Sequence, residues 1–353
     1  MIKVGKKKIG NGKRCFITFE IGATHNGFES AKKLIYEAAK SGADAIKFQT
    51  FNVEKLISNK KQLFSYKILV NKKKELIKNK TESLYKILKK RNFTKTQWKS
   101  LKKICDKLNI CFFSTVGFEE DVDFLKSIGC HSLKIASADI NHLPLIEYAA
   151  KTKLPIQIDT GMATLEEIST AVQAIKNVGN NKIIIHHCPT DYPARLDKIN
   201  LNIIKTLKEK FPYPIAYSDH TPGIHMDIAA LTLGVNLIEK TVTENRMTPK
   251  VEHMMSIETR EMKKFITSIR SIEMGMGSYS KILSKKEKKN RNKVRRSLFM
   301  SEFSKKGQKL SHCKILFRRP GNGIQANEYE KIKNLKLKKD LNKGHQLQKR
   351  DLK

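Results

Sequence analysis

"PIQIDTGMATLEEISTAVQAIKNVGNNKIIIHHCP" (residues 155–189) holds the repeating unit from which the fold follows. Its first run, "PIQIDTG" (155–161), is β-rich and ends in a carboxylate and a glycine. "TLEEISTAVQAIKNVG" then places apolar residues at three- and four-residue spacing and stops near a glycine, as an amphipathic helix does. "IIIHHCP" (183–189) is a second β-rich run, so the unit is strand–helix–strand.

Working outward, the same unit recurs. Further strands are expected at "CFITFEIG" (15–22), "DAIKFQT" (44–50), "CFFST" (111–115), "SLKIAS" (132–137), "PIAYSD" (214–219) and "LIEKTV" (237–242). Helical patterns such as "SAKKLIYEAAKSGA" lie between them, and "SIETREMKKFITSIRSIEMGMG" supplies the last. Eight strands alternating with helices predict an α/β fold with a closed (β/α)8 TIM barrel. An open doubly wound sheet is the alternative, but no Gly-rich phosphate fingerprint follows the first strand.

Residues 52–91 interrupt the rhythm and are too long for an ordinary loop, so Lys-rich helices are expected there. After Gly277 the composition changes. The expected organisation is a barrel domain at 1–280, a linker at 281–292 and a small β-rich domain at 293–353.

The chain carries 70 Lys and Arg against 34 Asp and Glu, a net charge of +36. The basic residues fall in runs such as "NKKKELIKNK" rather than interleaving with aromatics, which argues against a nucleic-acid partner and for solvated faces. A positive field would still gather a small anionic substrate. No apolar run is long enough to cross a bilayer, and Glu20 is out of place in a signal-peptide core. Six scattered cysteines without a CxxC pair suit reduced thiols, so a cytoplasmic location is expected.

In a barrel the carboxyl ends of the strands face the active site. Those ends carry Glu20, Lys47 with Gln49, Ser114, Lys134 with Ser137, Asp159, His186 and His187, Ser218 with Asp219 and His220, and Glu239 with Thr241. Singly, each has an ordinary explanation: a lysine reaching solvent, or a histidine satisfied in the core. Together, two lysines with hydroxyls and carboxylates on one rim suit a phosphorylated or carboxylated substrate, with Lys47 and Lys134 as anion clamps. The reaction is not specified by this pattern.

The motifs "EIGATHNG", "GADAIKFQTF", "LKIASADI", "DTGMAT", "SDHTPG", "IEKTVT" and "RRPGNGI", in this order, resemble the sialic acid synthase family of N-acetylneuraminate, legionaminate and pseudaminate synthases. The resemblance extends to "KGHQLQKRDL" of that family's small antifreeze-like (β-clip) domain. It implies a transferase that condenses phosphoenolpyruvate with the open-chain form of an N-acetylated amino sugar, giving a nine-carbon 2-keto acid and phosphate. Such products serve surface polysaccharide biosynthesis.

The resemblance also implies roles. Lys47 and Lys134 hold phosphoenolpyruvate, and Gln49, Ser137, Asp159 and Ser218 line the same pocket. Glu20 is the catalytic candidate for proton transfer or water positioning, while Tyr192 and Glu252 contact the sugar. Arg319 would enter the barrel of a partner in a domain-swapped homodimer. A divalent metal, Mn2+ or Mg2+, is implied, with His220 as a catalytic ligand. Thr241 stands where the family has a second metal-binding histidine, and a neutral hydroxyl is a weak ligand. Glu239, Asp219 and Asp159 are candidates to compensate, and Glu239 is taken with His220 as the metal pair. His220 bonding the substrate with no ion present is the other option. Two competing functions stay open: another phosphoenolpyruvate–aldose phosphate synthase on the same barrel, and a non-catalytic basic binding protein.

Overall fold

Eight parallel strands follow one another around a ring: β1 (Phe16–Glu20), β2 (Ala45–Thr50), β3 (Cys111–Val116), β4 (Leu133–Ile135), β5 (Ile156–Asp159), β6 (Ile183–His187), β7 (Ile215–Asp219) and β8 (Leu237–Thr243). Each pairs with the next, and β8 pairs back onto β1, so the sheet closes. In this computed structural model, which describes all 353 residues, the expected (β/α)8 barrel is therefore the fold. Every residue of β1 and of β4 through β8 is buried. Strands covered on both faces read as continuous apolar runs, which is why all eight are visible in the sequence.

The helices lie outside the ring, one after each strand: α1 (Phe28–Ser41), α2 (Lys95–Lys107), α3 (Glu119–Ser127), α4 (Leu143–Lys151), α5 (Leu165–Asn177), α6 (Ile203–Lys210), α7 (His225–Thr232) and α8 (Thr259–Met276). Their starts are set locally. Thr94 with Gln97 and Thr164 with Glu167 form capping boxes on α2 and α5, and each cap contributes about 1 kcal/mol. Gly42 ends α1 in the left-handed region at φ 91°, where a side chain would be strained. An unforeseen hairpin, Ile2–Val4 with Lys7–Ile9, packs Ile2, Val4 and Ile9 into the core. It lies at the amino ends of β2 and β3, where Lys7 pairs with Asp44 and Val4 accepts from the Cys111 thiol.

Residues 52–91 do not form Lys-rich helices. Their centre is an antiparallel hairpin, Leu63–Asn71 with Leu76–Ser83, flanked by two short helices, Val53–Leu56 and Leu84–Lys89. Phe64, Tyr66 and Ile68 alternate with Ser65 and Lys67 at a strand's period of two, and lysine abundance masked that signal. Tyr66 packs with Ile87 and Val251, so the hairpin braces the segment that carries Glu252.

The chain divides into two compact units, Met1–Gly277 and Ser278–Lys353. The second has its own core of Leu298, Met300, Leu310, Ile324, Leu337, Leu341, Leu347 and Leu352, beside a hairpin of Ser297–Met300 with Ile315–Arg318. The stretch expected as a linker contains a helix, Lys285–Val294, started by a Ser284/Glu287 capping box and burying no residue.

Candidate active site

Strand alternation decides what enters the barrel. On β8, Glu239 points into the lumen, Lys240 outward, and Thr241 lies in register with Glu20 of β1. Glu20 is in turn level with Lys47 of β2. Register thus places groups from distant sequence at one height.

The centre is a network of charges carried on the strands. Lys47 Nζ lies 2.5 Å from Glu20 Oε2 and 2.9 Å from Glu239 Oε1. Lys134 Nζ lies 2.8 Å from both Glu239 oxygens, 2.9 Å from Asp159 Oδ1 and 3.1 Å from Ser218 Oγ. Lys134 is fully buried, and Lys47 and Glu239 are nearly so. Buried charges persist only when paired and hydrogen-bonded, and here each has at least one opposite partner.

The two glutamates differ in environment. Burial pushes the Glu20 carboxyl above its ordinary value, with Lys47 pulling the other way. Burial also opposes charge on Glu239, but the Lys134 and Lys47 ammoniums outweigh it and hold that carboxyl well below the usual range. Environment thus drives the two carboxyls apart, Glu20 upward and Glu239 downward.

Beside them runs a neutral hydrogen-bond chain. Ser132 donates to the Pro155 carbonyl, and Gln157 Nε2 donates to Ser132 Oγ. Gln157 Oε1 therefore faces His186 Nε2 at 2.8 Å and accepts from it. That leaves His186 Nδ1, 2.9 Å from Ser218 Oγ, to accept the serine proton in competition with Asp159 Oδ1 at 3.2 Å. Burial, with Lys134 alongside, pushes His186 down to about 3, so the ring is neutral. Ser218 is then aimed with its lone pairs toward Lys134.

A second group lies along the same faces. Gln49, two residues beyond Lys47, accepts from Arg91 Nη1 at 2.5 Å, and Arg91 Nη2 lies 3.4 Å from Glu252 Oε1. Glu252 holds a left-handed backbone, φ 70°, a cost of about 1–3 kcal/mol for a non-glycine residue. A third group is His220, whose Nδ1 is 2.5 Å from the Pro189 carbonyl and whose ring lies 4.6 Å from that of Tyr192. Burial, then the Glu252 carboxylate, pushes the Tyr192 phenol up, so it stays a neutral donor. Ser137 accepts from the Gly161 N–H at 3.2 Å, a position where a Cβ would meet the Cys188 carbonyl at 2.6 Å.

The structure thus brings together Glu20, Lys47, Lys134, Asp159, Ser218 and Glu239 as one cluster. Gln49 and Glu252 are joined through Arg91, and Tyr192 packs on His220. Arg319 lies in the second unit, exposed, donating Nε to the Val294 carbonyl at 2.7 Å. Three residues escaped the assignments. Arg91 was hidden in the segment expected to be helical, and His186 stood among the strand ends without a role. Gln157 was overlooked although its spacing of two from Asp159 marks a lumen-facing position.

The donors at the expected metal pair are partly engaged. Both Glu239 oxygens accept from lysine ammoniums, Oε1 from Lys47 and Lys134 and Oε2 from Lys134, so an ion there would have to compete with two buried cations. His220 donates Nδ1–H to Pro189, leaving Nε2 as a single imidazole donor. No group of three or more His, Cys, Asp or Glu side chains is arranged to hold an ion. The side chains therefore form no ready-made cluster of three ligands, and His220 Nε2 is the imidazole atom left open.

A closed (β/α)8 barrel with lysines and carboxylates converging on its strands is the layout of a barrel enzyme. Residues 34–281 match the family model described as the NeuB family, and the chain belongs to that family. It is similar to the N,N'-diacetyllegionaminic acid synthase of Legionella pneumophila, 35% identical over 345 residues, covering 96% of this chain and 95% of that one. The pseudaminic acid synthase of Campylobacter jejuni is 32% identical over 349 residues, covering 98% and 99%. Among solved structures, the N-acetylneuraminic acid synthetase of Leptospira borgpetersenii, in complex with citrate, superposes with a TM-score of 0.71. It is 33% identical, over 82% of this chain and 94% of that one.

Proposed function

We propose that this chain condenses phosphoenolpyruvate with the aldehyde of an open-chain N-acetylated amino sugar, N-acetylmannosamine or a 2,4-diacetamido-trideoxyhexose, giving a sialic-acid-like nine-carbon 2-keto acid and phosphate. The observation that carries this is the pair of buried ammoniums, Lys47 and Lys134, held on the common anion Glu239. They are suited to take the phosphate and carboxylate of a small polyanion. The similarity to legionaminic and pseudaminic acid synthases supports an amino-sugar acceptor.

In this reaction the methylene carbon of phosphoenolpyruvate forms a bond to the aldehyde carbon, and the aldehyde oxygen takes the proton held on Glu20. Water then adds to the carbon bearing phosphate, returning one proton to Glu20, and phosphate leaves with the bridging oxygen and takes the remaining hydroxyl proton as the keto group forms. One carboxyl serves as acid and then as base. Gln49, Arg91, Glu252 and Tyr192 supply donors and acceptors to the sugar, and His220 Nε2 accepts from a hydroxyl. In the second unit, Arg319 would complete the site of a second copy, its guanidinium Nη groups forming the contact.

Purified protein is expected to release phosphate from phosphoenolpyruvate only when one of these amino sugars is added, with a 2-keto acid formed in equal amount. Phosphate release that requires a phosphorylated aldose would assign a different synthase reaction. Salt-sensitive binding to RNA without any phosphoenolpyruvate binding would make the chain a basic binding protein.

A further inference from the structure

β7 ends in Ser218 and Asp219, with His220 next, and the two strand residues point opposite ways. Ser218 belongs to the lumen. Asp219 faces outward, into a second buried charge cluster that the proposed chemistry does not use. There its carboxylate pairs with Lys240 and accepts from Tyr217 Oη at 2.9 Å, Thr221 N at 3.1 Å and Thr221 Oγ1 at 2.9 Å. Lys240 Nζ also donates to the Thr221 carbonyl at 2.7 Å and lies 3.3 Å from Asp227 Oδ2, in the first turn of α7. Lys240, Asp227 and Asp219 are almost wholly removed from solvent.

A lysine buried this completely needs a strong local reason, because apolar replacement of such pairs is often neutral or stabilising. The contacts supply one. Lys240 binds the residue before His220 through a carboxylate and the residue after it through a carbonyl. The loop after β6 grips His220 from the other side. Ala194 N donates to the His220 carbonyl at 2.8 Å, Pro189 accepts from Nδ1, and Tyr192 covers the ring. The imidazole is therefore held between two independent anchors. Only the outer one depends on charge.

We propose that Lys240, which touches no part of the barrel lumen, is a positioning residue for His220. Through Asp219 and the Thr221 carbonyl it fixes the orientation in which His220 Nε2 meets the sugar. This role rests on the synthase reading above. The adjacent residue of β8, Glu239, holds the two lysines on the inner face, so one strand orders both halves of the site. Its inner face serves phosphoenolpyruvate and its outer face the sugar-facing histidine.

The test is a double-mutant cycle on the full chain, assayed for phosphate release with the best sugar of the panel. Lys240→Met is expected to lower kcat about tenfold in the parent and less than about twofold in a His220→Ala background, since coupled residues do not add. KM for phosphoenolpyruvate should stay within about twofold in all four proteins. Thr221→Val removes one hydroxyl contact to Asp219 and keeps the cluster's charges. It carries the same cycle with a smaller effect, about threefold, if Lys240→Met fails to fold. Losses that multiply in the double variants, or a KM change for phosphoenolpyruvate as large as the kcat change, overturn the positioning role. A parent protein inactive with every sugar overturns the synthase reading itself, and this role with it.

Discussion

Glu20→Gln is expected to lower turnover by about 10²–10⁴-fold, the range of a general acid–base group, while phosphoenolpyruvate affinity changes only a fewfold. The substitution keeps size and removes the proton that Glu20 would carry. Lys47 retains Glu239 as a partner at 2.9 Å, so the clamp stays in place. Glu20 Oε1 has no hydrogen-bond partner, which leaves it free to meet a reacting group. The pH dependence follows from the raised carboxyl. The protonated form starts the reaction, so kcat/KM should fall on the basic side as Glu20 loses its proton, at a pH above the ordinary value of 4.5. The sign for stability is the same. Above pH 4.5 the unfolded chain has released a proton that folded Glu20 keeps, so raising pH toward the folded value favours unfolding. Glu239 behaves oppositely: its lowered carboxyl contributes stability above pH 4.5 that is lost as pH falls. In Glu20→Gln the basic limb of the rate profile should vanish. If the limb persists, or if binding collapses while turnover survives, Glu20 is a binding residue and the proton belongs elsewhere.

Lys134→Met should destabilise the fold by about 3–5 kcal/mol, the usual cost of stripping one partner from a buried pair. Lys134 is the only ammonium on Asp159 and one of two on Glu239, and methionine fills its volume without its charge. The cluster sets the Lys47 and Lys134 ammoniums against Glu239 and Asp159, with Glu20 beside Lys47. Lys134→Met/Asp159→Asn removes one of each and should recover at least half of the lost stability in denaturant unfolding. It should not recover the thermal stabilisation that phosphoenolpyruvate gives the parent. Recovery of both would mean that Lys134 is structural and that the anion binds elsewhere.

The barrel was legible because β-branched residues crowd strands that are buried on both faces, and because each strand ended in a polar group. The site was legible for a related reason. Glu20, Lys47, Lys134, Asp159, Ser218 and Glu239 all lie on strands, and register sets Glu20 beside Lys47 and Ser218 beside Glu239 without any loop needing prediction. What was missed depends on pairing rather than position. Glu239 looked like a metal ligand until its oxygens were found on two lysines. The Leu63–Ser83 hairpin was obscured because lysines occupy its exposed face and blur the period-two pattern. Arg91 reaches Gln49 only because that hairpin folds back, so no local signal marks it. The outer cluster on Lys240 was within reach: alternation along "LIEKTVT" places Lys240 opposite Glu239 in direction, and "SDHT" does the same for Asp219.

The most direct test of the central claim is a crystal structure of the protein with phosphoenolpyruvate. The account predicts the phosphate and carboxylate between the Lys47 and Lys134 ammoniums, with the Glu20 carboxyl facing the reacting carbons. Phosphoenolpyruvate bound away from both lysines, or absent at saturating concentration, would contradict it.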